Sequence, residues 1–214
     1  MTRLKGRRAL VTGATSGIGK AIAEDLAKEG CRLILAGRRR ARLQALGRRL
    51  KAEVLVLDVR DRRAVDRAEP GAVEILVNAA GLARGLSSLQ EGSVDDWEEM
   101  IDANLKGLLY LTRKVLPGMV RRRRGHVLNL GSTAGHWAYP GGAVYCATKA
   151  AVKRLTEAMR MDLLGTGIRV TSIDPGMVET EFSEVRFHVD LQQVVVTPTD
   201  QASVGLDHRR KAKA

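Results

Sequence analysis

The sequence predicts a three-layer doubly wound α/β fold, with a mainly parallel sheet covered by helices on both faces. Short apolar runs alternate with longer amphipathic stretches, the order produced when parallel strands are joined by crossover helices. Most of the runs are continuous in Val, Ile and Leu rather than alternating with polar residues, so both faces of the sheet are expected to be buried. A glycine-rich turn lies directly between the first apolar run and the first amphipathic stretch.

The first strand is Ala9 to Val11, and the helix after it, Ile18 to Glu29, stops at Gly30, where a left-handed residue is best supplied by glycine. Arg32 to Ala36 is the second strand and Arg40 to Leu50 the second helix. Strand Val54 to Leu57 leads into helix Arg62 to Glu69, which Pro70-Gly71 terminates before strand Glu74 to Val77. The long helix Val94 to Arg122 contains Gly107 and then Pro117-Gly118, which predicts an end or a bend near Leu116. Strand His126 to Leu130, helix Ala143 to Leu164 and strand Arg169 to Ile173 complete the pattern. Beyond Phe187 only Val194 to Val196 reads as a strand, before a charged tail from Gly205 to Ala214. Residues 1–187 are therefore expected to form one domain, and 188–214 an atypical C-terminal segment whose last ten residues are disordered.

At 214 residues, 44% hydrophobic and 28% charged, the chain is large enough for one substantial core. It has no apolar run long enough to span a bilayer, and Met1 to Lys5 is basic without the apolar stretch of a signal peptide. The expected compartment is the cytoplasm, with no membrane partner. Cys31 and Cys146 have neither a partner spacing nor flanking histidines, so neither a disulfide framework nor a metal site is expected. The net charge of +12 is scattered over Arg38 to Arg40, Arg48-Arg49, Arg62-Arg63, Arg121 to Arg124 and Arg209 to Lys211. Without a single stripe, and with few aromatics for base stacking, no nucleic-acid partner is expected.

The turn reads Thr12-Gly13-Ala14-Thr15-Ser16-Gly17-Ile18-Gly19. Gly13 permits the tight turn, Gly17 lets the backbone approach a pyrophosphate, and Gly19 allows close helix packing, while the helix N-terminus supplies amide donors. This is the chemistry of a dinucleotide site. The second strand then selects the dinucleotide: a carboxylate at its end would favour NAD, but here it ends Gly37-Arg38-Arg39. Gly37 leaves room and Arg38 offers a guanidinium to a ribose 2′-phosphate, with Arg39 and the Ser16 hydroxyl as auxiliaries, so the expected cofactor is NADP.

Tyr145 and Lys149 stand four apart on the predicted Ala143 helix and so leave one face within a turn. A nearby ammonium stabilises a phenolate and brings tyrosine toward the working pH range of a proton carrier. Ser132 lies at the C-terminal end of the preceding strand, the edge where ligands of open α/β sheets bind.

With these residues in place, the chain from Lys5 to about Phe187 resembles the short-chain dehydrogenase/reductase family. The resemblance rests on Thr12 to Gly19, Asp58-Val59, Asn78-Ala79-Ala80-Gly81, Asn104, Ser132, Tyr145 with Lys149, and Pro175-Gly176. It implies a Rossmann fold with strand order 3-2-1-4-5-6, in which Tyr145 exchanges the substrate proton and Ser132 holds the carbonyl or alkoxide oxygen. Lys149 would bind the nicotinamide ribose and lower the tyrosine pKa, and Asn104 would support a proton-relay water. Thr15, Ser16 and Ile18 of the turn would join its glycines at the cofactor, with Asp58 and Val59 at adenine and Asn78, Ala79, Ala80 and Gly81 at the adenosine ribose. Pro175, Gly176, Val178 and Thr180 would hold the nicotinamide end.

Gly131 to Gly135, Pro140 to Tyr145 and Thr180 to Phe187 look like the NADP-dependent serine and 3-hydroxy acid dehydrogenase branch. That likeness implies a short 3-hydroxy acid or its 3-oxo counterpart, with Arg186 meeting the substrate carboxylate and Trp137 and Phe182 lining the pocket. A 3-oxoacyl thioester or another carbonyl is the alternative within the family, and a catalytically impaired nucleotide-binding scaffold the alternative outside enzymology. Similar proteins continue through another helix and a final parallel strand, so the edge at Arg169 to Ile173 is expected to be exposed. A homodimer or homotetramer is expected, the dimer pairing the helices that carry Asn104 and Tyr145.

Overall fold

The computed structural model describes residues 4–176, Val178 and three short C-terminal strands. Seven strands form one sheet in the order β3-β2-β1-β4-β5-β6-β7. They are β1 (Arg8–Thr12), β2 (Arg32–Gly37), β3 (Glu53–Val56), β4 (Ile75–Asn78), β5 (Gly125–Leu130), β6 (Ile168–Asp174) and β7 (Gln193–Val195). The first six are mutually parallel, which gives the expected order 3-2-1-4-5-6. A two-stranded ribbon, β8 (Gln201–Ser203) and β9 (Leu206–Asp207), lies apart from the sheet.

The helices are α1 (Gly17–Lys28), α2 (Arg40–Leu50), α3 (Arg62–Arg67), α4 (Val94–Ile101), α5 (Gly107–Arg121) and α6 (Ala143–Asp162). The continuous apolar strands explain the two cores. Ala9, Val11, Leu33, Leu35, Ile75 and Val77 pack on one face with Ala23, Leu43 and Leu46. Their neighbours Leu10, Ile34 and Leu76, with Val127 and Val170, meet Leu111, Val115, Met119, Val152 and Met159 on the other. Strand β3 departs from the double-sided pattern: it is an edge, and Val54 and Val56 are exposed.

Two expectations about chain path need correction. The long helix does not end at Leu116 but runs through Pro117 to Arg121. Pro117 and Arg113 are both exposed, so water can satisfy the carbonyl that the proline leaves without a donor, while Val115 and Met119 anchor the buried side. The edge of β6 is partly covered, because β7 pairs antiparallel with Ser172, Ile173 and Asp174. A short return strand thus stands where a final parallel strand was thought missing. The expected disorder of 205–214 lies outside the described residues, apart from Leu206–Asp207 in β9. Among the described residues no helix is long and apolar enough to cross a membrane.

Parallel strands bring their C-terminal ends to one edge, so Thr12, Asn78, Leu130 and Asp174 lie side by side on β1, β4, β5 and β6. The strand order reverses between β1 and β4, which opens a crevice there.

Candidate active site

The glycine turn forms as its sequence requires. Gly13 has φ +64°, and a Cβ there would sit 2.8 Å from the Ala79 carbonyl oxygen, so the turn after β1 rests directly on the loop after β4. Gly19 is equally confined, since a Cβ would lie 2.6 Å from the Gly13 carbonyl. Ser16 is the N-cap of α1 but places no side-chain cap on it. The first-turn amides of Gly17, Ile18 and Gly19 are left for an anion.

Of the two arginines, Arg39 is the one that reaches the turn. Its guanidinium donates to Thr15 Oγ1 at 3.0 Å and Ser16 Oγ at 2.5 Å. Arg38 instead leans toward Asp58, with 3.9 Å between Nη1 and Oδ2. The Asp58 carboxylate is held mainly by Arg60, which also pairs with Glu99. Burial works against its charge, but the side-chain and backbone bonds from Arg60 prevail and hold its pKa below the usual range.

Two positions expected at the cofactor have side chains that point into the interior. Asn78 is buried, and its Nδ2 donates to Thr112 Oγ1 at 3.0 Å and Asn129 Oδ1 at 2.9 Å. Its side chain therefore holds β4 to α5 and β5. Val59 is part of the core and packs against Gly107, where a Cβ would lie 2.6 Å from Val59 Cγ2. Thr12, the first residue of the glycine turn, holds the loop after β4 from the other side. Its Oγ1 accepts from the amides of Ala79 at 3.0 Å and Ala80 at 2.9 Å and donates to the Val77 carbonyl at 3.2 Å, fixing the loop that carries Gly81.

Ser132, Tyr145 and Lys149 converge at the end of β5. Ser132 caps a 3-10 turn (Thr133–Gly135), accepting from the Ala134 amide at 3.1 Å, and hydrogen-bonds the Tyr145 hydroxyl. Lys149 is 7% exposed; its Nζ donates to the Leu130 carbonyl at 2.9 Å and stands 5.8 Å from the Tyr145 ring centroid. Burial pulls Lys149 down to about 8, against the attraction of Asp174. The expected depression of the tyrosine is not found. Burial pushes Tyr145 up to about 12, opposed by the Ser132 bond.

Asn104 lies in a π-helical turn (Asp102–Lys106) between α4 and α5. Its Nδ2 donates to the Leu82 carbonyl at 2.9 Å and Thr148 Oγ1 at 3.1 Å, and its Oδ1 accepts from the Leu82 amide at 2.8 Å. Such turns widen a helix by one residue and often mark functional sites. Gly81 fits tightly here, since a Cβ would come within 2.9 Å of Asn104 Oδ1 and 3.8 Å of Lys149 Nζ.

A cavity of about 140 Å³ opens beside Tyr145, bounded by Val144, Gly141, Met100, Trp97 and the charged Arg84, Glu91 and Asp96. Trp97 takes the place expected of Trp137, whose side chain is exposed. Pro175 and Gly176 follow β6 at the same edge, and the Pro175 carbonyl accepts from the Thr133 amide at 3.0 Å. Val178 is half-buried, whereas Thr180, Phe182 and Arg186 lie outside the described residues. A partly buried cluster of Ser172, Asp174, His136 and Lys153 adjoins the site, and no local sequence signal pointed to it.

Comparison with known proteins agrees with this geometry. The family model described as short chain dehydrogenase matches residues 7–189. The chain is 53% identical over 190 residues to an NADP-dependent 3-hydroxy acid dehydrogenase of Salmonella typhi, covering 85% of this chain and 77% of that protein. It is 48% identical to sulfoacetaldehyde reductase 2 of Chromohalobacter salexigens, over 83% of this chain and 75% of the other. A solved serine dehydrogenase, in its closed form with NADP+, superposes with TM-score 0.80 at 50% identity, covering 84% of this chain and 76% of that one. With its glycine turn, its Ser132, Tyr145 and Lys149 constellation and the match across residues 7–189, the chain belongs to the short-chain dehydrogenase family of oxidoreductases.

Proposed function

We propose that the protein transfers a hydride between NADP and a short 3-hydroxy acid, such as serine or 3-hydroxypropionate, or its 3-oxo counterpart. The observation that carries this is the hydrogen-bonded Ser132 and Tyr145 pair over a buried Lys149, at the same sheet edge as the uncapped start of α1. The donor set fits an NADP molecule: Gly17, Ile18 and Gly19 would offer amides to its pyrophosphate, and Arg39 and Ser16, with Arg38 beside them, would meet its 2′-phosphate. When bound, the nicotinamide supplies or accepts the hydride.

The chain's own residues handle orientation and the proton. Ser132 donates to the reacting oxygen, and Tyr145 moves a proton at its hydroxyl. Lys149 binds the ribose beside it, and Asn104 keeps the π turn against Leu82 and Thr148, next to Lys149. With its pKa raised to about 12, Tyr145 is a phenol at neutral pH, the form that protonates a developing alkoxide in the reductive direction. The names of the relatives share a small substrate that carries an acidic group, which supports Arg186 as the cation for that group. A homodimer through α4, α5 and α6 is part of the proposal, supported by the exposed Ile101 and Leu109.

The test is a titration with NADPH and NADH, followed by nicotinamide absorbance with serine and 3-hydroxypropionate in the presence of NADP. Turnover with NADP preferred supports the reading. Tight NADPH binding with no turnover of either acid sinks the substrate assignment.

A further inference from the structure

Asp174, 1% exposed at the last position of β6, is the centre of a hydrogen-bonded chain that the proton and hydride steps do not use. Its Oδ1 accepts from Ser172 Oγ at 2.6 Å, and its Oδ2 lies 2.9 Å from His136 Nε2. On the other side of the ring, His136 Nδ1 lies 3.0 Å from Lys153 Nζ. An ammonium has only donors, so Nδ1 is the acceptor and the imidazole is neutral, with its proton on Nε2 and donated to Asp174.

The carboxylate also packs onto the residue before Ser132. A Cβ at Gly131 would lie 1.9 Å from Asp174 Oδ1, so only a bare Cα fits there. The Gly131 amide donates to Ile173 at 2.8 Å and the Thr133 amide to Pro175 at 3.0 Å, which ties both sides of Ser132 to β6 and the turn after it. Lys153 follows Lys149 by one turn of α6, and Tyr145 precedes Lys149 by one turn. A Cβ at Gly135 would come within 2.8 Å of the Lys149 carbonyl oxygen, so the segment between Ser132 and His136 is pressed against the same helix. His136 thus stands where three elements meet: the Ser132 turn, α6 with Tyr145, and the end of β6 that leads into Pro175-Gly176.

We propose that His136, bridging Lys153 and Asp174 as the Nε2–H tautomer, is a positioning residue that sets Ser132 against Tyr145. The proposal rests on the roles assigned above to Ser132 and Tyr145. Misplacing a reacting group by a fraction of an ångström lowers rate more than binding, so the effect belongs in kcat.

The test compares His136→Leu with His136→Gln in the full chain. The Gln amide reproduces the pattern of donor toward Asp174 and acceptor toward Lys153, whereas Leu keeps bulk and offers neither. For Leu, kcat is expected to fall about 10- to 100-fold, with NADPH affinity within about twofold of wild type. Gln is expected to recover kcat to within about threefold of wild type. Amide hydrogen exchange at Gly131 and Thr133 supplies a second readout, expected to speed up about tenfold in Leu and not in Gln, with the rest of the sheet unaffected. An unchanged kcat in Leu, a Gln variant no better than Leu, or exchange that rises across the whole sheet overturns the proposal. If the wild-type chain turns over no 3-hydroxy acid, the substrate reading falls, while the exchange pattern still decides the role of His136.

Discussion

Two histidines mark opposite ends of β5, and each faces β6. At the start, His126 Nε2 lies 2.8 Å from Thr171 Oγ1, with Arg169 near its other nitrogen, and burial together with that arginine lowers its pKa to about 4. Past the other end, His136 lies between a carboxylate and an ammonium. The first is kept neutral and ties β5 to β6 away from the site; the second has a donor and an acceptor role that orient its neighbours. The same contrast holds for the two edges of the sheet. At the N-terminal edge charges neutralise one another, Glu74 with Arg7 and Arg124 and Arg8 with Glu53. At the C-terminal edge Lys149 is buried and Tyr145 half-buried, and their pKa values move in the directions that burial dictates. A protein of marginal stability concentrates such costs where chemistry needs them.

The contrast predicts different consequences for changes at the two edges. Tyr145→Phe removes the proton carrier and is expected to lower turnover about 10³-fold, with NADPH affinity nearly unchanged, as steady-state rates and a fluorescence titration would show. Comparable losses of binding and turnover would mean that the hydroxyl holds the site together. Next in size is the acid response of the opposite edge. His126 has a folded pKa of about 4 against an ordinary value of 6.5, so the unfolded chain binds its proton first. Its contribution is fully present above pH 6.5 and is lost as pH falls toward 4, a loss of about 2–3 kcal/mol in denaturant unfolding that His126→Gln should flatten.

Arg39→Ala should weaken NADPH binding about tenfold and leave NADH binding alone, because its charged bonds to the turn face the extra phosphate. An equal loss for both nucleotides would place Arg39 in the scaffold of the turn. The smallest effect is expected at Glu74→Gln, about 1 kcal/mol of stability and no change in kcat, since this half-buried pair network lies across the sheet from the site.

Much of the site was legible because its residues are grouped by local rules. Tyr145 and Lys149 share a helix face, and Thr12 to Gly19 is a contiguous turn after a strand. Less legible were the side chains whose partners lie far along the chain. Asn78 sits in a motif at the cleft, yet its amide finds Thr112 and Asn129, 34 and 51 positions away, inside the molecule. Pro117 reads as a helix breaker, but its solvent-facing position lets α5 continue.

By itself the sequence determined the parallel sandwich, the dinucleotide turn and the identity of Ser132, Tyr145 and Lys149. These follow from apolar periodicity and from spacings within one turn or one helix. Only the tertiary structure decided that Arg39 and not Arg38 reaches the turn, that Lys149 lies over the tyrosine ring, and that His136 meets Asp174 and Lys153. Those partners are 38 and 17 positions from His136, and a crossover helix with the strand after it brings them together. Contacts of that kind depend on where parallel strands end in space, which no local pattern encodes.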